Sequence, residues 1–145
     1  TNGILDFGRV CNERPTRMKG YWKYKSAPIS HTSAEFVHLK GEPDTANVYI
    51  ALTDWTAPFQ IRTNPKNRNI FDKNADYIIA YGSMQTGDNI DKWTEFTVEL
   101  DYRDTHRVPS YILIVSSASK LGDYFTGGSG STLMIDNYWL EWDYE

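Results

Sequence analysis

Residues 47–54 read N-V-Y-I-A-L-T-D. In an extended chain Val48, Ile50 and Leu52 point one way and Tyr49, Ala51 and Thr53 the other, the two-residue alternation of a β-strand. No charged side chain interrupts either face before Asp54, so the stretch reads as a buried strand.

The flanking sequence repeats the pattern. Tyr111 to Ser117 is a continuous apolar run of the kind found in sandwich cores, and Tyr77 to Met84 is a further strand ending near a turn at Gly87 to Asn89. Trp93 to Asp101 alternates cleanly, with Phe96, Val98 and Leu100 inward and Trp93, Glu95, Thr97, Glu99 and Asp101 outward. Arg17 to Lys25 places Met18, Gly20, Trp22 and Tyr24 on one face and Lys19, Tyr21, Lys23 and Lys25 on the other. Ile4 to Val10 and Thr132 to Trp142 supply terminal strands, and Phe36 to Lys40 and Phe59 to Arg62 are short candidates within polar, proline-punctuated segments. No run shows helical periodicity. The expected fold is all-β: two packed antiparallel sheets, a β-sandwich of jelly-roll type.

A chain of 145 residues suits one domain spanning 1–145, with no repeat or linker to divide it. Its single Cys11 excludes an internal disulfide framework and reads as a small buried hydrophobe. Net charge is -4 with scattered basic residues, which removes the electrostatic footprint of a nucleic-acid binder. No segment is apolar enough to span a membrane, and residues 1–10 lack a signal-peptide pattern. The 5 Trp and 10 Tyr exceed what a core of this size requires, and such rings suit wet binding surfaces as well as core edges.

Residues 120–137, K-L-G-D-Y-F-T-G-G-S-G-S-T-L-M-I-D-N, join a lysine, an acid and aromatics to a glycine-serine turn and a strand. Gly127, Gly128 and Gly130 mark a shaped loop. It is not a nucleophile elbow, because Ser131 stands where G-x-S-x-G must close on glycine, nor a phosphate loop, because Gly128 stands where the lysine must be. His31, His38 and His106 are spaced like no zinc site. Asp72, Asn74 and Asp76 imitate the start of a calcium loop, but Tyr77 replaces its turn glycine and Ser83 its closing glutamate, leaving a polar turn as the reading. Glu99 and Asp101 would lie about 6.6 Å apart on one strand face, near the ~6.5–9.5 Å of inverting glycosidases. Three acids alternating with core residues also describe a plain solvated face.

The ordered blocks G-Y-W-K-Y-K (20–25), A-L-T-D-W-T (51–56), I-A-Y-G (79–82), P-S-Y-I-L-I-V-S-S-A-S-K (109–120) and G-D-Y-F-T-G-G-S-G-S-T-L-M-I-D (122–136) resemble the putative carbohydrate metabolism domain. That family is known chiefly from surface or secreted lipoproteins of gut Bacteroidetes. The resemblance implies a jelly roll similar to carbohydrate-binding modules, an extracellular or cell-surface location, and a place in the C-terminal part of a longer protein with an upstream domain. Jelly-roll modules often hold one structural calcium; Asp136 is the ligand that the resemblance implies, with bonding to strand-end amides as the competing role. Trp22, Ser26-Ala27-Pro28 and Asn137-Tyr138 depart from the family pattern.

Three functions follow. A non-catalytic module binding an oligo- or polysaccharide would use Asp54 and Trp55 after one strand, Trp93 on another, and Lys120, Asp123 and Tyr124 in the glycine-serine loop. Trp22 is a further candidate, although its alternation with Met18 equally fits a core, and edge packing competes for Trp55 and Trp93. A glycoside hydrolase would draw on Glu99, Asp101, Asp54 or Asp123. A structural domain would use the surplus aromatics as interface anchors.

Overall fold

The computed structural model describes residues 3–143. Among the described residues there are ten strands: β1 (Ile4–Phe7), β2 (Arg9–Val10), β3 (Arg17–Lys25), β4 (Ala46–Thr53), β5 (Phe59–Arg62), β6 (Ile78–Thr86), β7 (Ile90–Glu99), β8 (Asp101–Tyr102), β9 (Tyr111–Ser117) and β10 (Thr132–Glu141). They form a five-stranded sheet in the order β2-β9-β4-β6-β8, a three-stranded sheet β10-β3-β7, and a two-stranded sheet β1-β5, with every pairing antiparallel. The expected β-sandwich is observed.

Between the two larger sheets, Val48 and Ile50 of β4 meet Met18 and Trp22 of β3 and Phe96 and Val98 of β7, all buried. This burial of large apolar side chains is the main favourable term, each contributing about 1.5–3 kcal/mol. The opposite face of β4 is covered too. Ala51, Ile78 and Leu113 cluster with Trp55, Phe59, Phe71, Tyr77 and Tyr111, an aromatic layer supplied by residues 55–77 and the first residue of β9. Both faces of residues 47–53 are therefore apolar for two separate reasons.

The segment 4–10 is two strands. Gly8, at φ 106, breaks it so that β1 pairs with β5 and β2 with β9. Residues 34–39 form a 3-10 helix in place of the expected strand at Phe36 to Lys40. Cys11 is half-buried rather than sunk in the core. At Leu100 the chain crosses between sheets: β7 pairs with β3, whereas β8 pairs with β6.

Candidate functional site

The outward face of the five-stranded sheet carries a groove of about 560 Å³. Its floor comes from alternate residues of two neighbouring strands, Asn47 and Tyr49 of β4 and Tyr81 and Gln85 of β6, with Asn47 directly opposite Gln85. One wall is residues 70–74 and the other residues 120–124. Phe71 stacks on Tyr49 with centroids 5.1 Å apart and 17° between planes, and on Tyr81 at 6.2 Å and 25°. On the far wall the Arg68 guanidinium lies 4.7 Å from the Tyr124 ring centroid, and Phe36 meets that ring edge-on at 5.3 Å. The 3-10 helix thus braces the wall that Tyr124 belongs to.

Two features mark the groove. The Oδ1 atom of Asn47 is buried without a hydrogen-bond partner, a state that costs about 1–3 kcal/mol when no donor is supplied. The Asp123 carboxyl, although open to the groove, is pushed above the ordinary carboxylate range by desolvation, with Arg68 pulling it partly back. Tyr49 is raised as well, first by burial and then by the nearby Asp123 charge. Aromatic rims, three amides, two acids and two lysines converge on one concavity, the composition that holds a polyhydroxylated ring with apolar C–H faces.

Of the residues singled out from sequence, Lys120, Asp123 and Tyr124 line this groove. The others do not. Trp22 is 3% exposed and packs on Phe96 at 5.2 Å inside the sandwich, so it offers no ring to a ligand. Trp55 is 8% exposed, stacked on Phe59 at 5.0 Å and flanked by Tyr77 and Tyr111; the aromatic layer buries the platform expected there. Asp54 accepts an ion pair from Arg107, which also binds Asp104 at 2.7 Å, and so closes a loop junction. Trp93 is exposed, but on the outer face of the three-stranded sheet, across the sandwich from the groove.

The carboxylate pair dissolves because of the crossing at Leu100. Glu99 is opposite Arg17 in the three-stranded sheet and bonds its guanidinium at 3.1 Å, whereas Asp101 is opposite Tyr81 in the five-stranded sheet. The two acids share no strand face. Asp136 stands exposed opposite Tyr21, beside a β-bulge in which Asn137 takes φ 54. Among the described residues, no group of three or more His, Cys, Asp or Glu side chains gathers there or elsewhere to hold a metal. Asp72 Oδ1 accepts the Asn74 backbone N–H at 2.8 Å, closing residues 72–76 as a polar turn.

Over residues 1–141 the sequence matches the profile of the family described as "Putative carbohydrate metabolism domain". The chain belongs to that family. The carbohydrate metabolism domain superposes on a crystal structure described as a putative glycoside hydrolase from Bacteroides thetaiotaomicron with a TM-score of 0.71 at 22% identity, covering 97% of this chain and 42% of that one. A second, described as a putative glycoside hydrolase from Bacteroides vulgatus, gives a TM-score of 0.66 at 24% identity, covering 94% and 55%. Both likenesses concern the fold, and the chain spans about half the length of those proteins or less. No curated protein matches.

The loop that carries the groove wall in this carbohydrate metabolism domain is fixed by a residue the sequence reading passed over. Asp44 is 3% exposed. Its Oδ2 accepts hydrogen bonds from Ser119 Oγ at 2.5 Å, Gly128 N at 2.8 Å and Ser131 Oγ at 2.8 Å, and its Oδ1 accepts from Thr45 N at 2.8 Å. The glycines serve this closure: a Cβ on Gly128 would sit 2.7 Å from the Ala27 carbonyl oxygen and 2.8 Å from that of Pro28. One buried carboxylate therefore staples both ends of the segment that presents Lys120, Asp123 and Tyr124. A short polar residue after Pro43 resembles any turn residue, and only its three distant donors reveal the role.

Proposed function

We propose that this domain binds an oligo- or polysaccharide in the groove between residues 70–74 and 120–124, without transforming it, as a module of a bacterial glycan-utilisation system at the cell surface. Membership in the carbohydrate metabolism domain family supports the ligand class. The observation that carries the reading is a groove whose floor combines the Tyr49 and Tyr81 rings with the Asn47 and Gln85 amides, between walls that each bear a lysine and an acid. The amides of the floor and the polar groups of the walls would bond sugar hydroxyls, while the aromatic rims meet the C–H faces. Lys73, Lys120, Asp72, Asn74 and Asp123 would fix orientation from the walls. An upstream domain of the same polypeptide would place the module against its substrate. Among the described residues no helix is long and apolar enough to cross a membrane.

One observation favours a second reading, hydrolysis. Asp123 stands on one wall and Asp72 on the other, so the groove carries one carboxyl group on each side, as glycoside cleavage requires. A glycan array, read for retention and for released sugar in the same wells, separates the cases. Retention without products supports the module; products abolished by Asp123→Asn establish hydrolysis, and silence in both assays refutes a saccharide site.

A further inference from the structure

The outer face of the three-stranded sheet is divided by charge. At one end every cation is paired: Arg17 with Glu99, Glu141 and Asp143, and Lys19 with Glu95 and Glu141. At the other end Lys23 and Lys25 form no ion pair among the described residues. Lys23 lies between two exposed apolar side chains, Trp93 of β7 at 46% exposure and Met134 of β10 at 52%. Its Nζ is 4.9 Å from the Trp93 ring centroid, and Met134 is its direct partner across the β3-β10 ladder. Beside this stripe the β3-β7 register slips between Trp22 and Tyr24, and a cleft of about 340 Å³ opens there, lined by Lys23, Lys25, Asn89, Asp91, Thr132 and Met134.

We infer that this stripe and cleft form a second saccharide site, selective for sugars bearing a carboxylate, that is, uronic acid residues. An exposed indole suits the C–H face of a pyranose ring, and Met134 extends the apolar track across the sheet. A neutral sugar would leave the two lysines unused. A carboxylate on the ring would draw the Lys23 ammonium from the indole and engage Lys25 at the cleft mouth, two cations against the single acid, Asp91, of the lining. The ammonium already placed over Trp93 shows that the ring can keep company with a charge. Because the stripe and the groove occupy opposite outer faces of the sandwich, one domain could hold two strands of a polymer, and avidity would exceed either single affinity.

The site is tested by titrating oligomers of galacturonic, glucuronic and mannuronic acid, with a neutral galactose oligomer as control, into the isotopically labelled protein. The expected result is movement of the Trp93 indole N–H and Met134 methyl resonances with at least one uronate and none with the neutral oligomer. Lys23→Ala/Lys25→Ala, and separately Trp93→Ala, should each weaken binding at least tenfold, and wild-type affinity should fall as salt rises. No binding to any of the three uronates, unchanged affinity in both variants, or perturbation confined to Tyr49, Tyr81 and Gln85 overturns the inference. The groove reading is unaffected by its failure, since the two surfaces report through different resonances.

Discussion

Replacing Asp44 with alanine should cost more stability than any surface change in this domain. The substitution removes the acceptor of four hydrogen bonds, from Ser119, Gly128, Ser131 and Thr45. The two serine hydroxyls can turn toward other acceptors, whereas the Gly128 and Thr45 N–H groups are fixed by the backbone. Stranding two part-buried donors at about 1–3 kcal/mol each comes to about 2–6 kcal/mol, and partial relief from removing the buried carboxylate leaves about 2–5 kcal/mol. For a chain of this length that is a fall in Tm of about 4–20 °C. Asp44→Asn keeps one oxygen for the three donors at Oδ2 but turns its NH2 toward Thr45 N–H, so it should lose about 1–2 kcal/mol. Calorimetry gives the ordering, and amide exchange at Gly128 should quicken in both variants. An alanine variant within about 1 kcal/mol of wild type, or an asparagine variant as damaged as the alanine one, would show that Asp44 is not the staple described.

Three further outcomes follow from the same structure. Asn47→Leu removes the unpartnered amide, so stability should hold or rise while saccharide affinity falls at least tenfold; a clear loss of stability in denaturant titration would mean that the amide is satisfied in the free protein. Gly128→Ala should destabilise by several kcal/mol, because its Cβ would press on two backbone carbonyls that cannot swing aside, and an unchanged melting curve would contradict the tight closure. The pH profile should carry two opposite signs. Asp104 is held well below the carboxylate range first by the Arg107 backbone N–H and then by its side chain, and Asp143 is lowered by Arg17, so both stabilise above the ordinary carboxyl pKa and lose that contribution as pH falls through their folded values. Asp123 is raised, so its ionisation opposes folding at neutral pH; Asp123→Asn should gain stability at pH 7, and the gain should vanish below about pH 4.

Period-two alternation was enough to place most strands. Tyr111 to Ser117 is β9 without adjustment, and the inward positions Phe96 and Val98 are buried as their spacing requires. The same alternation misleads where a strand changes sheets, because the pleat continues past Leu100 while the hydrogen-bonding partners change, and so Glu99 and Asp101 look like neighbours on one face. Trp55 misleads for another reason. It follows a strand and carries an acid beside it, yet its cover comes from Phe59 and from Tyr77, 22 residues later in the chain, a contact no local pattern encodes. The groove floor had a signal that could have been used. Tyr49 and Ala51 give β4 a second apolar face, which requires a second cover, and tyrosine at the uncovered end of such a face borders solvent. Lys120, Asp123 and Tyr124 were legible because acid, aromatic and glycine occur together in one shaped loop; Asp44 was not, because its donors lie 75 to 87 residues away.

The saccharide groove is tested most directly by mapping the contact surface of a glycan retained on the array. In a titration followed by side-chain and backbone resonances, the account predicts the largest shifts at the Asn47 and Gln85 amides, the Tyr49 and Tyr81 rings and Asp123. Binding of a neutral glycan that leaves these residues unmoved would contradict it.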